Sequence, residues 1–582
     1  MKKIYYTTLL FPIIIFYLFE NFTHNAFTTM KPHLQLLNIL LFEFILLFLF
    51  MVFGRLRLAL HIMTVLFFVW GIANYFIISF RSAPIMPWDI YSLKTAASVA
   101  DNYNYSLSIT IVFTIIFFIL LLIVEGFMNL QTSQINFFKR HNLLRLILLG
   151  ICVLFFTGFT HMLHQDTNVV KLRLYDKLFT PTVMCKRDGT AVAFLMELKY
   201  MSVEKPNGYN KAEASKIFDS YPAPITPTHT PNIIIVMDEA FSDLAVLDDF
   251  TTNEDYMPFT HSLMKGAKNT RSGYLDVSVL GGNTANTEFE LLTGNTMAFL
   301  PQGSIPYQQY VHDTLPSLAS YLSDFGYRTI AMHPYHSTGW NRDKVYPYFG
   351  FDETYFMEDF KNPKLIRKYI SDESAFDKIK ELFEAKKKDE PLFLFEVTMQ
   401  NHSSYEEAFD NFNPEISVND CEGTQLNNYL SLIKLSDDAL ADLVAYLDSQ
   451  QEDTLLVYFG DHQPTDSVVS PIWRLNKKNN DTITEEDINN RYKVPFVIWA
   501  NYDLESESNL ETSANYLGVD VLKSAGITPS GYFAFLNELQ QAYPVVTSIC
   551  TKELDGTTAT VKESLGTSLD TYRTLQYNQL FQ

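Results

Sequence analysis

Cysteine is scarce in this chain, with four residues in 582. Cys152 lies in an apolar run, and Cys185, Cys421 and Cys550 are spaced too widely for a disulfide framework or a thiolate metal site. Positive charge is also short: 44 Lys and Arg face 65 Asp and Glu, a net of −21. A polyanion such as nucleic acid is a poor partner for that balance. The fingerprints of common cofactor and hydrolase chemistries are missing as well. There is no phosphate loop ending in Lys-Ser/Thr, no G-x-S-x-G elbow and no H-E-x-x-H helix. No internal repeat or low-complexity tract appears.

Long apolar runs are present, and all of them fall in the first third. Five of them, at 4–19, 34–53, 58–80, 107–127 and 143–162, approach or exceed the ~20 residues that cross a bilayer core. Residues 1–165 carry ten Lys/Arg against five Asp/Glu, so the remainder holds a net of −26. The basic residues Lys2, Lys3, Arg55, Arg57, Lys139, Arg140 and Arg145 fall on one side if five spans alternate. That side is then the cytoplasm, and the C-terminal portion faces outward. No small-residue cleavage site follows the first run, which reads as a retained anchor. Glu20, Glu43 and Glu125 lie at or inside the runs; Glu43 is either a functional intramembrane acid or an interfacial one. The outer loop 81–106, with Pro84, Pro87, Trp88 and Asp89, is long for a connector and is expected to pack on the soluble part or on lipid headgroups.

A chain of this length exceeds a single core. The sequence divides into a five-span transmembrane domain at 1–165, a juxtamembrane helix and linker at 166–230, and an extracellular catalytic domain at 231–582. The proline-dense run 221–231 ends the linker. Beyond it, apolar strands at 233–237, 328–332, 392–397, 455–459 and 494–499 alternate with helix-like segments such as 371–387 and 427–447. That alternation predicts an α/β domain with a mostly parallel sheet covered by helices on both faces. Ligands in such sheets sit beyond the carboxyl ends of the strands, where Glu239, His333 and the pair Asp461-His462 fall.

The chemistry-bearing residues each have a plainer reading. Glu239 ends a strand rich in β-branched residues, as a metal ligand or as the cap of the next helix. Gly281-Gly282-Asn283-Thr284 lets the backbone approach something closely, or starts a helix through a Thr287/Glu290 capping box. Both readings are compatible, because a helix N-terminus also receives a phosphoryl group. Asp461-His462 after Gly460 offers a carboxylate and an imidazole to one metal ion. His402 is a ligand, a general acid or a satisfied polar residue. His333 and the run Trp340-Asn341-Arg342-Asp343 combine imidazole, indole and guanidinium. Arg342 suits bidentate phosphate binding, or pairs with a nearby acid. The set as a whole points to metal-dependent transfer or hydrolysis at an outward-facing site.

These residues resemble the lipoteichoic acid synthase family of Gram-positive bacteria, within the sulfatase and alkaline phosphatase superfamily. The likeness runs through the spans, the linker and the extracellular domain, and its motifs match in order. It implies Glu239, Thr284, Asp461 and His462 as metal ligands, Thr284 also as the nucleophile in Thr-x-x-x-Glu-Phe, and His402 as the histidine of the Asn-His motif. It implies His333, Trp340 and Arg342 as the residues that hold glycerol phosphate. It further implies one divalent ion, usually Mn2+ with Mg2+ the other candidate, phosphatidylglycerol as donor, and a glycerol phosphate polymer or cell-wall glycan as acceptor. Transfer of glycerol phosphate or phosphoethanolamine to a cell-wall polysaccharide or glycolipid, and an inactive metal-binding membrane sensor, are the competing readings. Two departures stand on the substrate side: Pro334-Tyr335 replaces Gly-Asn after the upstream histidine, and Gly339 replaces an aromatic before the Trp. The C/S-x-P-x-R motif of true sulfatases is absent, and a threonine cannot be converted to their aldehyde.

Overall fold

The computed structural model describes residues 2–81, 84–87, 89–90, 106–128, 142–175, 181–201, 203–301, 303–421, 423–479, 482–561, 563–564, 566 and 568–582. Two compact units result. One is made by described residues within 1–90 and 99–202, the other by those within 203–582.

The first unit is helical. Among the described residues, four helices are long and apolar enough to cross a membrane: Pro32–Phe53, Leu56–Ser79, Ile109–Phe127 and Leu143–Leu163. The first apolar run lies in the helix Lys2–Glu20, whose apolar part, Leu9–Glu20, is shorter. Most of the 81–106 loop, together with Lys139 and Arg140, lies outside the described residues. Glu20 and Glu125 are buried in this unit. Glu20 accepts from the Thr190 backbone N–H and hydroxyl, both at 2.9 Å. Glu125 lies 2.6 Å from both His61 Nδ1 and the Thr64 hydroxyl. Glu43 is half-buried, and its Oε1 lacks a partner among the described residues. The Arg145 guanidinium donates to the Met51 and Val52 carbonyls at 2.5 Å each, which satisfies the carbonyl end of the helix Pro32–Phe53.

The second unit is built on an eight-stranded sheet. Its strands are β1 (Asn232–Asp238), β2 (Thr270–Asp276), β3 (Arg328–Met332), β4 (Glu353–Tyr355), β5 (Leu392–Val397), β6 (Thr454–Gly460), β7 (Lys493–Ala500) and β8 (Glu507–Ser513). They lie in the order β8-β2-β7-β6-β1-β5-β3-β4. All pairs are parallel except those that β7 makes with β2 and β6. The five expected strands are all present. The apolar residues of β1 and β5 follow one another without polar alternation over 233–237 and 392–395 because successive residues enter two separate cores. Ile233, Ile235 and Met237 face one side with Phe393 and Phe395, while Ile234 and Val236 face the other with Leu392 and Leu394. The helices Asp372–Ala385 and Thr424–Asp448 cover the second face, close to the expected segments. β2, β4 and β8 carry no comparable apolar run: β8 reads Glu-Ser-Asn-Leu-Glu-Thr-Ser and is a bulged edge strand.

A charge cluster centred on the buried Asp243 braces β2. Asp243 accepts from the Tyr256 and Tyr274 hydroxyls at 2.5 and 2.7 Å. His261 lies between Asp243, at 3.6 Å, and Asp255, at 2.8 Å. Burial disfavours a charged His261, but the two carboxylates outweigh it and raise its pKa to about 9. A folded pKa above the unfolded ~6.5 contributes stability that is complete below pH ~6.5 and is lost as pH rises through about 9. The thermal midpoint is therefore expected to fall between those pH values, and His261→Gln to flatten the fall. Equal slopes for the two proteins would remove this role for His261.

Candidate active site

Glu239 follows β1, Asp461 and His462 follow β6, and His333 follows β3, so the topology brings them to one end of the sheet. Glu239, Asp461 and His462 form a buried cluster in which each offers a ligand atom within 4.8 Å of the others. His462 Nε2 lies 3.2 Å from Asp461 Oδ2 and 3.8 Å from Glu239 Oε1. His462 Nδ1 is 3.0 Å from the Gln463 carbonyl. A carbonyl only accepts, so Nδ1 carries the proton and Nε2 presents its lone pair. Asp461 Oδ2 and His462 Nε2 are buried without a hydrogen-bond partner. Burial first, and then the Asp461 carboxylate, push the Glu239 pKa well above the carboxylate range. Two crowded buried carboxylates and an unsatisfied imidazole nitrogen are the donor set of a divalent cation, and the residues fit one.

The local backbone is forced to aim these groups. Ala240 sits at φ 53, a left-handed conformation unusual for a residue other than glycine, and its N–H is held by Asp461 Oδ1 at 2.7 Å. Glu239 N–H is held by the Thr398 hydroxyl at 3.1 Å. Beneath them Asp238 accepts from Thr398 and Asn401 at 3.0 Å each and from Tyr458. Gly460 is obligatory, because a Cβ there would lie 1.8 Å from the Phe241 carbonyl oxygen.

Thr284 is the first residue of the helix Thr284–Thr293, and its hydroxyl donates to Glu239 Oε2 at 3.2 Å. The expected capping box does not form. Thr287 donates instead to the Asp461 carbonyl at 2.9 Å, and Glu290 accepts from Ser278, Thr296 and the Met297 N–H. No side chain caps this N-terminus, and Asn283 precedes it at φ 66. The close approach at Gly281, φ +65, is to Thr465 of the chain's own loop.

Arg342 is only 2% exposed and pairs with Glu288 through Nε and Nη2. Tyr346 and Tyr307 also donate to Glu288, at 2.9 and 3.3 Å. Glu288 is therefore the site residue that sequence reasoning missed. Its i,i+4 spacing from Thr284, which puts both on one helix face, was the available signal. Removing one partner of a buried pair costs about 3–5 kcal/mol. Glu288→Ala is expected to destabilise the chain by that order in urea unfolding, and an unchanged midpoint would contradict the pairing's importance.

His333 Nδ1 donates to the Val397 carbonyl at 2.9 Å, and burial, then Arg342, hold its pKa well below the usual histidine value. His402 is pushed down to about 4, chiefly by burial. Its Nδ1 lies 2.9 Å from the Ser403 carbonyl, which leaves Nε2 unprotonated in the neutral ring. Trp340 is half-buried against the first core and, like Asn341, adopts a left-handed φ, 54° and 60°. A bulky side chain held in that region marks local strain of about 1–3 kcal/mol at the site.

Fold and site together define a unit of apolar membrane-length helices followed by an α/β domain with a buried Glu-Asp-His cluster, suited to a cation, beyond the carboxyl ends of a mostly parallel sheet. The pattern of the sulfatase family matches residues 231–527, about half of the chain, and the chain belongs to that family. Among curated proteins it is 31% identical over 423 residues to one named as a cyclic beta-1,2-glucan modification protein of Rhizobium meliloti (strain 1021), covering 71% of this chain and 64% of that one. It is 26% identical over 239 residues to the lipoteichoic acid synthase of Staphylococcus aureus (strain USA300), covering 40% of this chain and 35% of that one. The family likeness read from the motifs is thus borne out, although the chain spans less than two thirds of either relative's length. In fold it resembles the integral membrane lipooligosaccharide phosphoethanolamine transferase EptA from Neisseria meningitidis, with a TM-score of 0.56 and 12% identity over 90% of this chain and 95% of that one. It also resembles the phosphoglycerol transferase GacH of Streptococcus pyogenes, with a TM-score of 0.50 and 22% identity over 65% of this chain and 95% of that one.

Proposed function

We propose that the chain is a cell-membrane phosphoglycerol transferase that moves glycerol phosphate from phosphatidylglycerol, through a phosphothreonine at Thr284, to an extracellular polymer such as lipoteichoic acid. The observation that carries the proposal is the Thr284 hydroxyl at an uncapped helix N-terminus, 3.2 Å from the carboxylate of a buried Glu-Asp-His cluster. In this reading residues 1–165 span the membrane five times, 166–230 connect, and 231–582 form the catalytic domain on the outer side of a Gram-positive cell.

Glu239, Asp461 and His462 hold the cation, with Thr284 completing the set. A divalent ion there, Mn2+ or Mg2+, lowers the pKa of a nearby hydroxyl and offsets charge on phosphoryl oxygens. Thr284 Oγ1 passes its proton to Glu239 Oε2, the carboxylate oxygen it already donates to, and bonds to phosphorus as the bond to diacylglycerol breaks; the same oxygen returns the proton when Thr284 leaves in the second step. The first N–H groups of its helix face the phosphoryl oxygens. The diacylglycerol oxygen takes a proton from His402, which is neutral in the free site and protonated once an anionic donor offsets its burial. In the second step the acceptor hydroxyl gives its proton to Nε2 of neutral His402 and displaces Thr284 from phosphorus. Such proton transfer contributes typically ~10²–10⁴-fold. Glu288 holds Arg342 against the glycerophosphate, with His333 and Trp340 shaping the pocket.

A glycan acceptor is the second reading. It is favoured by Tyr335 beside His333, with ring centroids 6.2 Å apart, and by the glucan-named relative aligned over 71% of the chain. The test is turnover of labelled phosphatidylglycerol and phosphatidylethanolamine by the purified full-length chain, with a glycerol phosphate primer or a β-glucan as acceptor. Diacylglycerol release from phosphatidylglycerol is expected. Release from phosphatidylethanolamine alone would overturn the donor, and label on the glucan alone would replace the polymer by the glycan.

A further inference from the structure

The segment 400–404 carries His402 and has no strand or helix of its own to use its carbonyls. All five are nevertheless taken by side chains. Arg367 donates through Nη2 to the Gln400 and His402 carbonyls and through Nη1 to that of Ser404, each at 2.7 Å. Tyr405 donates its hydroxyl to the Asn401 carbonyl at 2.6 Å. The Tyr369 hydroxyl lies 3.1 Å from the Ser403 carbonyl and 3.2 Å from His402 Nδ1; because that carbonyl is nearer to Nδ1, at 2.9 Å, and only accepts, Nδ1–H and the hydroxyl both donate to it.

Arg367 occupies the turn of a short hairpin in which Leu365–Ile366 pairs antiparallel with Tyr369–Ile370. It sits at φ 57, and Asn411 Nδ2 fixes that turn through the Leu365 and Arg367 carbonyls at 3.0 Å. The side chain is 5% exposed, and its guanidinium lies 5.5 Å from the ring centroids of both Tyr369 and Tyr405. A buried cation with no carboxylate in salt-bridge reach among the described residues, directed at three carbonyls of one segment, is costly unless that segment must be immobile. The guanidinium reaches the three carbonyls from two nitrogens fixed in one plane, a spread that the single nitrogen of an ammonium lacks.

We propose that Arg367 is a positioning residue: with Tyr369 it clamps the carbonyls around His402, fixing which imidazole nitrogen bears the proton and where Nε2 points. Ser403 O is held in place by Tyr369, and that oxygen obliges Nδ1 to be the donor. Nε2 is thereby left for proton transfer at the reacting oxygen. The inference rests on the transferase reading, in which His402 serves the chemical steps. Displacing a catalytic group by about 1 Å costs on the order of 10²-fold, and the loss falls on kcat because the clamp touches neither donor nor acceptor.

The test uses the full-length chain in detergent with labelled phosphatidylglycerol and acceptor, reading kcat, KM, phosphorylated Thr284 by mass spectrometry and the thermal midpoint. Arg367→Met is expected to lower kcat by ~10²-fold at an unchanged KM for the donor, Arg367→Lys to restore part of it, and Tyr369→Phe to lose several-fold while keeping its ring. If Arg367→Met does not fold, Tyr369→Phe decides. Wild-type kcat in folded variants, or a raised KM at unchanged kcat, overturns the clamp. Absence of label on wild-type Thr284 overturns the transferase reading itself, whatever the variants do.

Discussion

Thr284→Ala is expected to reduce donor turnover by roughly 10⁴-fold or more, the scale seen when a covalent nucleophile is removed, and to abolish labelling of the protein. The geometry makes the substitution clean. The threonine hydroxyl has one described partner, Glu239 Oε2 at 3.2 Å, and the helix behind it is held through Thr287, Glu288 and Glu290. Folding is therefore expected to survive. Thr284→Ser retains the hydroxyl and is expected to keep measurable activity. Mass spectrometry of the chain incubated with labelled phosphatidylglycerol checks both. A phosphorylated protein in the alanine variant would place the nucleophile elsewhere.

Removal of the divalent ion is expected to have an effect of similar size. Chelation should abolish turnover, and added Mn2+ should restore it. An ion that binds only the folded chain stabilises it by about 2.7 kcal/mol at one hundred times its dissociation constant, so Mn2+ should raise the unfolding midpoint. Asp461→Asn is the informative variant. An amide oxygen in place of Oδ1 still accepts from Ala240 N–H, so the turn that aims Glu239 persists, while the charge at Oδ2 is lost. The variant should lose the Mn2+ response and the activity but keep its fold. Full activity in chelator, with no shift of midpoint on adding Mn2+, would take the ion out of the reaction.

The fold was legible wherever burial imposed a pattern. β1, β5 and β6 are covered on both faces, so their sequences are apolar runs, broken in β5 only by Glu396, that locate the sheet's centre and the site at its end. β8 was not legible, since an edge strand alternates weakly and pairs through its backbone. The capping box at Thr287 and Glu290 failed for a related reason. Spacing allows the reciprocal bonds, but burial of the whole helix gave both side chains stronger partners in distant segments.

Residue type and order by themselves determined four of the five expected membrane-length helices, the α/β class, the family likeness and the candidate ligands Glu239, Asp461 and His462. These follow from local pattern: hydrophobic period, strand ends and the few side chains able to bind a cation. Tertiary structure alone decided that Arg342 is neutralised by Glu288. It also decided that His402 presents Nε2 rather than Nδ1, and that Arg367 holds the segment in which it sits. Pairing, protonation and aim depend on distances between residues far apart in the chain, and those distances exist only once the sheet has set its strand order.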